Sequence, residues 1–152
     1  MAAQEHVALA QSLFELFNNR QSDPAWLDKC AAAFAADCEV VSAPSGTTLH
    51  GPEGYKRLLR VIAEAFPDSR VEPTNAFATE DQVVLEFTNR GTSIGPLYLP
   101  SGAFPATGRS YELRLCQVMQ LRHGKIVRFR TYYDMLTLLE QLGLHAARAE
   151  AV

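Results

Sequence analysis

The chain has 152 residues, 47% hydrophobic and 20% charged, with a formal net charge of −3. These values suit one globular domain, residues 1–152, and exclude extended disorder. The basic residues form no long run, no apolar stretch reaches membrane-spanning length, and the N-terminus lacks the basic-then-apolar order of a secretory signal, so neither nucleic acid nor a membrane is an expected partner.

Residues 4–17 read as an amphipathic helix, because Val7, Ala10, Leu13, Phe14 and Phe17 recur at three- and four-residue spacing. Asn18 and Asn19 end it. Asp23-Pro24 is a helix-start signal, and a short helix follows with Leu27, Cys30, Ala31 and Phe34 on one face. Residues 38–41 form a strand, and the Pro/Gly/Ser/Thr-rich residues 43–54 form a loop. Helical spacing returns over 55–66 through Tyr55, Leu58, Leu59, Ile62 and Phe66, and Pro67-Asp68 stops it.

From there the period drops to two. Residues 71–79 form a strand that contains Pro73, which places it at an edge or a bulge. Residues 82–90 alternate cleanly. Residues 91–109, with four glycines and three prolines, form a long loop. Residues 110–121 and 126–133 are long strands around a His123-Gly124 turn. A last helix covers 135–142, with Asp134 before it and Gly143 after it. The Ala-rich tail, 146–152, is expected to fray. Helices first and strands second predict an α+β fold: a strongly curved antiparallel sheet, with N-terminal helices packed over one face and one pocket inside the cone.

The two long strands carry the informative pattern. On the first, Tyr111, Leu113, Leu115, Met119 and Leu121 share a face that Gln117 interrupts. On the second, Val127, Phe129 and Tyr133 share a face that Thr131 interrupts. Both faces point inward if odd residues pair with odd residues, which a three-residue turn with Gly124 left-handed would achieve. Gln117 and Thr131 then lie roughly 5–8 Å apart between Cα atoms. An apolar wall with a few convergent polar groups describes a pocket; the alternative is a glutamine that satisfies a buried backbone group or a water. The outward face carries Glu86, Glu112, Arg114, Arg128 and Arg130. These either pair across strands or, with Tyr132 and Cys116, form a homodimer interface.

At this point the residues resemble a known family. Gly124-Lys125-Ile126, then Asp134, then Glu140-Gln141-Leu142-Gly143 resemble the C-terminal signature of the SnoaL-like polyketide cyclases. Gly51-Pro52-Glu53-Gly54, Ala65-Phe66-Pro67-Asp68 and Pro105-Ala106-Thr107-Gly108-Arg109 after Gly91–Pro96 fit the same family. The resemblance runs from the first helix to Gly143. It implies an NTF2-like cone with a deep pocket for a hydrophobic ring system, and ring closure by intramolecular aldol condensation without metal or organic cofactor. It also implies a histidine and an aspartate on the last two long strands. Those positions hold Gln117 and Thr131 here, and a further family histidine position holds Ser93. Neither glutamine nor threonine acts as a general base near neutral pH.

Other candidates remain. Asp134 matches an acidic family position, and it is either a catalytic group or the cap of the last helix. Trp26 and Tyr55 either stack on a ligand or belong to the core. Leu115, Met119, Phe129 and Tyr133 are candidate pocket wall, and Tyr132 and Tyr133 are candidate donors at its rim. His50 is the histidine nearest a pocket entrance. No spacing suggests a metal site or a phosphate cradle, so no cofactor is expected. Cys30, Cys38 and Cys116 are scattered and form no CxxC, which fits a reducing cytoplasm. Three functions compete: a cofactor-free cyclase, isomerase or lyase acting on a hydrophobic carbonyl compound; a small-molecule carrier; and an interaction module that uses the outer sheet face.

Overall fold

The computed structural model describes residues 2–144, so the tail expected to fray lies outside the described residues. Helix α1 spans Ala2–Asn18 and buries Ala10, Leu13, Phe14 and Phe17, the stripe predicted from spacing. A 3-10 turn, Arg20–Ser22, leads to α2, Trp26–Ala31. Asp23 sits two residues too early to be the cap of α2. It closes a turn instead, its Oδ1 accepting the Ala25 N–H at 3.0 Å. Phe34 is outside the helix and opens β1, Phe34–Ser42, a longer strand than the expected 38–41.

The segment expected to be loop holds β2, Thr47–His50, and the start of α3, Gly51–Ala65. Two adjacent threonines favour a strand. Gly51, at φ +74°, turns the chain into a helix that accepts Pro52 in its first turn. The edge strand β3, Arg70–Ala78, shifts register between Pro73 and Asn75, as its proline requires. The Asn18 amide covers this edge, pairing with both Val71 O (2.8 Å) and Val71 N (2.9 Å).

Strand β4, Gln82–Thr92, is followed by a second surprise within the predicted loop. Leu97–Leu99 (β5) and Gly102–Phe104 (β6) form a small hairpin. Strands β7, Ser110–Arg122, and β8, Lys125–Tyr132, lead to α4, Met135–Leu142. The large sheet has the order β2-β1-β8-β7-β4-β3. All its pairings are antiparallel except β1 with β8, which run parallel. No helix among the described residues is long and apolar enough to cross a membrane.

The β7–β8 register matches expectation by a different route. His123 (φ 52°) and Gly124 (φ 74°) make a two-residue turn, which pairs Arg122 with Lys125 and Leu121 with Ile126. Val127 then stands unpaired as a bulge, and Gln120 pairs with Arg128. Odd residues meet odd residues from there on. Ile126, fully buried, therefore takes the inward place expected for Val127.

The inward face and the helices bury two apolar clusters. One joins α1, α2 and α3 to the sheet through Phe14, Phe34, Tyr55, Leu85 and Phe129. The other joins α4 and β5 to the sheet through Phe66, Leu97, Leu113, Leu138 and Leu142. Arg20 fastens α1 to the α3–β3 connection, its guanidinium donating to the carbonyls of Phe17, Ser69 and Pro67 at 2.7–2.8 Å.

Candidate functional site

Between these two clusters lies a cavity of about 490 Å³. Its walls are mostly aliphatic and aromatic. Phe14 and Phe17 come from α1, Leu58 and Ile62 from α3, and Leu97 and Leu99 from the β5–β6 hairpin. Gln117 and Thr131 are direct cross-strand partners on the sheet side of this space, and both line it. Among the described residues, no protein group hydrogen-bonds the Gln117 amide or the Thr131 hydroxyl, and neither is sealed from the cavity. Gln117 therefore does not serve to satisfy a buried backbone group.

The polar row extends beyond the two residues predicted. Ser42 pairs with Thr131 across β1 and β8 and is buried. Its Oγ lies 2.9 Å from Ser45 Oγ, which in turn lies 3.1 Å from Thr47 Oγ1. All three line the cavity. A strip of amide and hydroxyl groups thus runs from Gln117 on β7 to Thr47 on β2, across an otherwise apolar wall. Alternation along β1 carried the signal for Ser42: Cys38 and Val40 face the core and Ser42 follows in phase.

The remaining candidates divide. Tyr55, Leu115, Phe129 and Tyr133 line the cavity. Tyr55 is stacked on Phe34 with ring centroids 3.9 Å apart, and burial pushes its phenol well up. Burial pushes the Tyr133 phenol up to about 12, so it is a neutral hydrogen-bond donor at physiological pH. Met119, 1% exposed, shares the stripe of Gln117 but lies in packed core below the cavity. Trp26 packs edge-on against Phe17 and is also outside the lining.

Asp134 caps α4. Its Oδ1 accepts from Leu136 N (3.0 Å) and Thr137 N (3.4 Å), and its Oδ2 accepts from the Thr137 hydroxyl (2.8 Å). His50 is exposed where β2 meets α3 and does not line the cavity. Ser93 is buried and organises its loop, its Oγ accepting from Thr107 N. Tyr132 points to the outer face, 42% exposed. On that face the ion pairs include Arg90–Glu112 (2.8 Å) and Arg128–Glu39 (3.3 Å), both across strands; Arg114 and Arg130 join none among the described residues.

The chemistry of the lining is narrow. Among the described residues it includes no Asp, Glu, His, Lys or Cys; its ionisable groups there are tyrosines and Arg57. Among these described residues there are hydrogen-bond donors for a carbonyl or enolate oxygen and no general base for neutral pH. A second, open groove of about 510 Å³ runs over Asp68, Arg70, Arg90 and Thr92. Two of its charged groups are engaged, Asp68 with Thr92 (2.7 and 2.8 Å) and Arg90 with Glu112. Among the described residues, no group of three or more His, Cys, Asp or Glu is placed to hold a metal ion.

A family model for the SnoaL-like polyketide cyclases matches residues 9–142. A protein of Jannaschia sp. CCS1 assigned as a SnoaL-like polyketide cyclase is similar in structure, with a TM-score of 0.81, 20% identity, and 92% of each chain covered. IdmH of Streptomyces antibioticus, assigned as a polyketide cyclase, is 27% identical at a TM-score of 0.69, with 90% of this chain and 96% of that one covered. An LEH-like epoxide hydrolase of M. tuberculosis shares the fold at 15% identity and a TM-score of 0.68, over 99% of this chain and 98% of that one. No curated protein matches the chain by sequence.

Proposed function

The chain belongs to the SnoaL-like polyketide cyclase family, and on that premise we propose that its cone binds a hydrophobic, ring-containing small molecule by a carbonyl edge. The observation that carries this reading is the Gln117 amide, unpartnered among the described residues, beside Thr131 on an apolar wall. An amide without a protein partner is available to a ligand carbonyl, and the aliphatic walls reward burial of the rings. Gln117 orients the carbonyl, Thr131 and Ser42 extend the polar edge, and Tyr55, Leu115, Phe129 and Tyr133 contact the rings.

A catalytic version, a cofactor-free cyclase or isomerase, draws its support from Tyr133, whose neutral phenol is a donor for an enolate oxygen. With no base among the described residues of the lining, such a reaction requires a substrate acidic enough to ionise unaided. The outer sheet face supports a homodimer reading: Phe77 is 55% and Tyr132 42% exposed there, beside the half-buried Val84 and Val118. The three free cysteines are compatible with the cytoplasm.

Thermal denaturation against matched ring compounds with and without a carbonyl tests the reading. A ligand at a hundredfold excess over its Kd adds about 2.7 kcal/mol. Carbonyl compounds should stabilise the wild type more than their deoxygenated partners, and Gln117→Leu should erase that difference while melting normally. Equal responses from both classes would refute the carbonyl assignment, and no response from either would refute the cavity assignment.

A further inference from the structure

We propose that the cavity mouth selects ligands that carry a carboxylate, and that Arg57 binds it. The inference rests on reading the cone as a ring-binding cavity and specifies which ring compounds it takes. Among the described residues, Arg57 is the sole formally charged one in a lining otherwise built of apolar residues, hydroxyls and amides. Lys56, its neighbour on α3, is held by Asp28 and by Glu53 (3.1 Å). Arg57 has no ion pair among the described residues, and the cavity offers it no carboxylate. Arg57 is exposed at the edge of the cavity, where a cation beside apolar walls attracts anions.

Its surroundings favour a carboxylate. The start of α3 lies against β2, so closely that a β-carbon on Gly54 would stand 2.9 Å from Leu49 Cβ. About one helical turn on, Arg57 lines the cavity, as do Thr47 and Ser45 from the β2 side. The guanidinium supplies a planar fork for two carboxylate oxygens, and the hydroxyls supply further donors. The polar strip continues from these hydroxyls through Ser42 and Thr131 to Gln117. A flat ring system with a carbonyl at one end and an acid at the other would match both ends of the strip.

The test is titration of the protein with anthraquinone-2-carboxylic acid and with its methyl ester, followed by fluorescence or calorimetry. Wild type should prefer the acid by about tenfold, the scale of one charge-assisted hydrogen-bonded contact. Raised salt should narrow that preference. Arg57→Gln should abolish the preference by weakening the acid far more than the ester; Arg57→Lys should retain part of it. Equal affinities in wild type, or a preference that survives Arg57→Gln, would overturn the proposal. Ester binding without preference would leave the ring-binding reading standing, whereas failure of both ligands to bind would remove that reading as well.

Discussion

Ser42 and Thr131 are side by side across the parallel β1–β8 pairing, so the inward hydroxyl of one strand continues the inward hydroxyl of the next. Gln117 adjoins on the far side of Thr131. Three strands therefore place a polar side chain at one level of the same wall. Ser42 stands 89 residues before Thr131 in the chain and joins this row only through the tertiary pairing of β1 with β8.

Ser42→Val separates a ligand contact from a structural one. Valine suits a strand, and Ser45 keeps Thr47 as a hydroxyl partner when Ser42 is lost. Stability should change by less than about 1 kcal/mol. Affinity for a carbonyl-bearing ring compound should fall several-fold in a titration. Unchanged affinity would confine the ligand-facing row to Gln117 and Thr131.

His123→Asn should stabilise the protein. His123 carries a β-carbon at φ 52°, a region that asparagine tolerates better, and Asn-Gly is a favoured two-residue hairpin turn. A gain of about 0.5–1 kcal/mol in urea denaturation is expected. A loss would mean that the imidazole contributes more to this turn than its backbone strain removes.

Asp134 gives the protein part of its acid sensitivity. Hydrogen bonds from the Thr137 hydroxyl and from the Thr137 and Leu136 N–H groups hold its carboxyl below the usual range. A folded value below the unfolded one means that the contribution is complete above the unfolded value, near pH 4, and is lost as pH falls through the folded value. Asp23, Asp28 and Asp37, each paired with a lysine or arginine, are shifted the same way. Asp134→Asn keeps an acceptor at the cap. Its melting temperature should fall less than that of wild type between pH 5 and pH 2, and ligand affinity should not change, because Asp134 is outside the cavity. An unaltered acid limb, or lost affinity, would contradict this placement.

Much of this architecture is written in local pattern. Helical spacing marked the core face of α1, and two-residue alternation marked β4, β7 and β8 with Gln117 and Thr131 as interruptions. Local pattern fails where an element is short or where position depends on packing. Three-residue strands such as Leu97–Leu99 have no room for a period, and the strand propensity of Thr47 and Thr48 was masked by flanking glycine, serine and proline. Depth is invisible too: Leu115 and Met119 occupy the same stripe, yet one borders the cavity and the other is core. Arg57 falls on the polar side of the α3 pattern, and only the packing of α3 against β2 and β5 brings it to the cavity.

Gly95→Ala tests how the β5–β6 hairpin is held over the cavity. Ile94 N and Gly95 N both donate to Ala65 O, at 3.1 and 3.0 Å, which presses this segment onto the end of α3. A β-carbon at Gly95 would stand 2.1 Å from Glu64 O and 3.1 Å from Glu64 C. Those are backbone atoms of a helix and cannot swing aside, so the hairpin must lift instead. Leu97, Tyr98 and Leu99 would then leave the cavity wall. The expected cost is about 2 kcal/mol or more, with weakened ring binding. Gly108→Ala is the control, since its φ of +74° carries backbone strain but nothing lies within 4 Å of the added carbon. It should cost about 1 kcal/mol and leave binding intact. If the two variants behave alike in denaturation and in ligand titration, the hairpin is not clamped to α3 at Gly95, and the cavity wall it forms is looser than the packing implies.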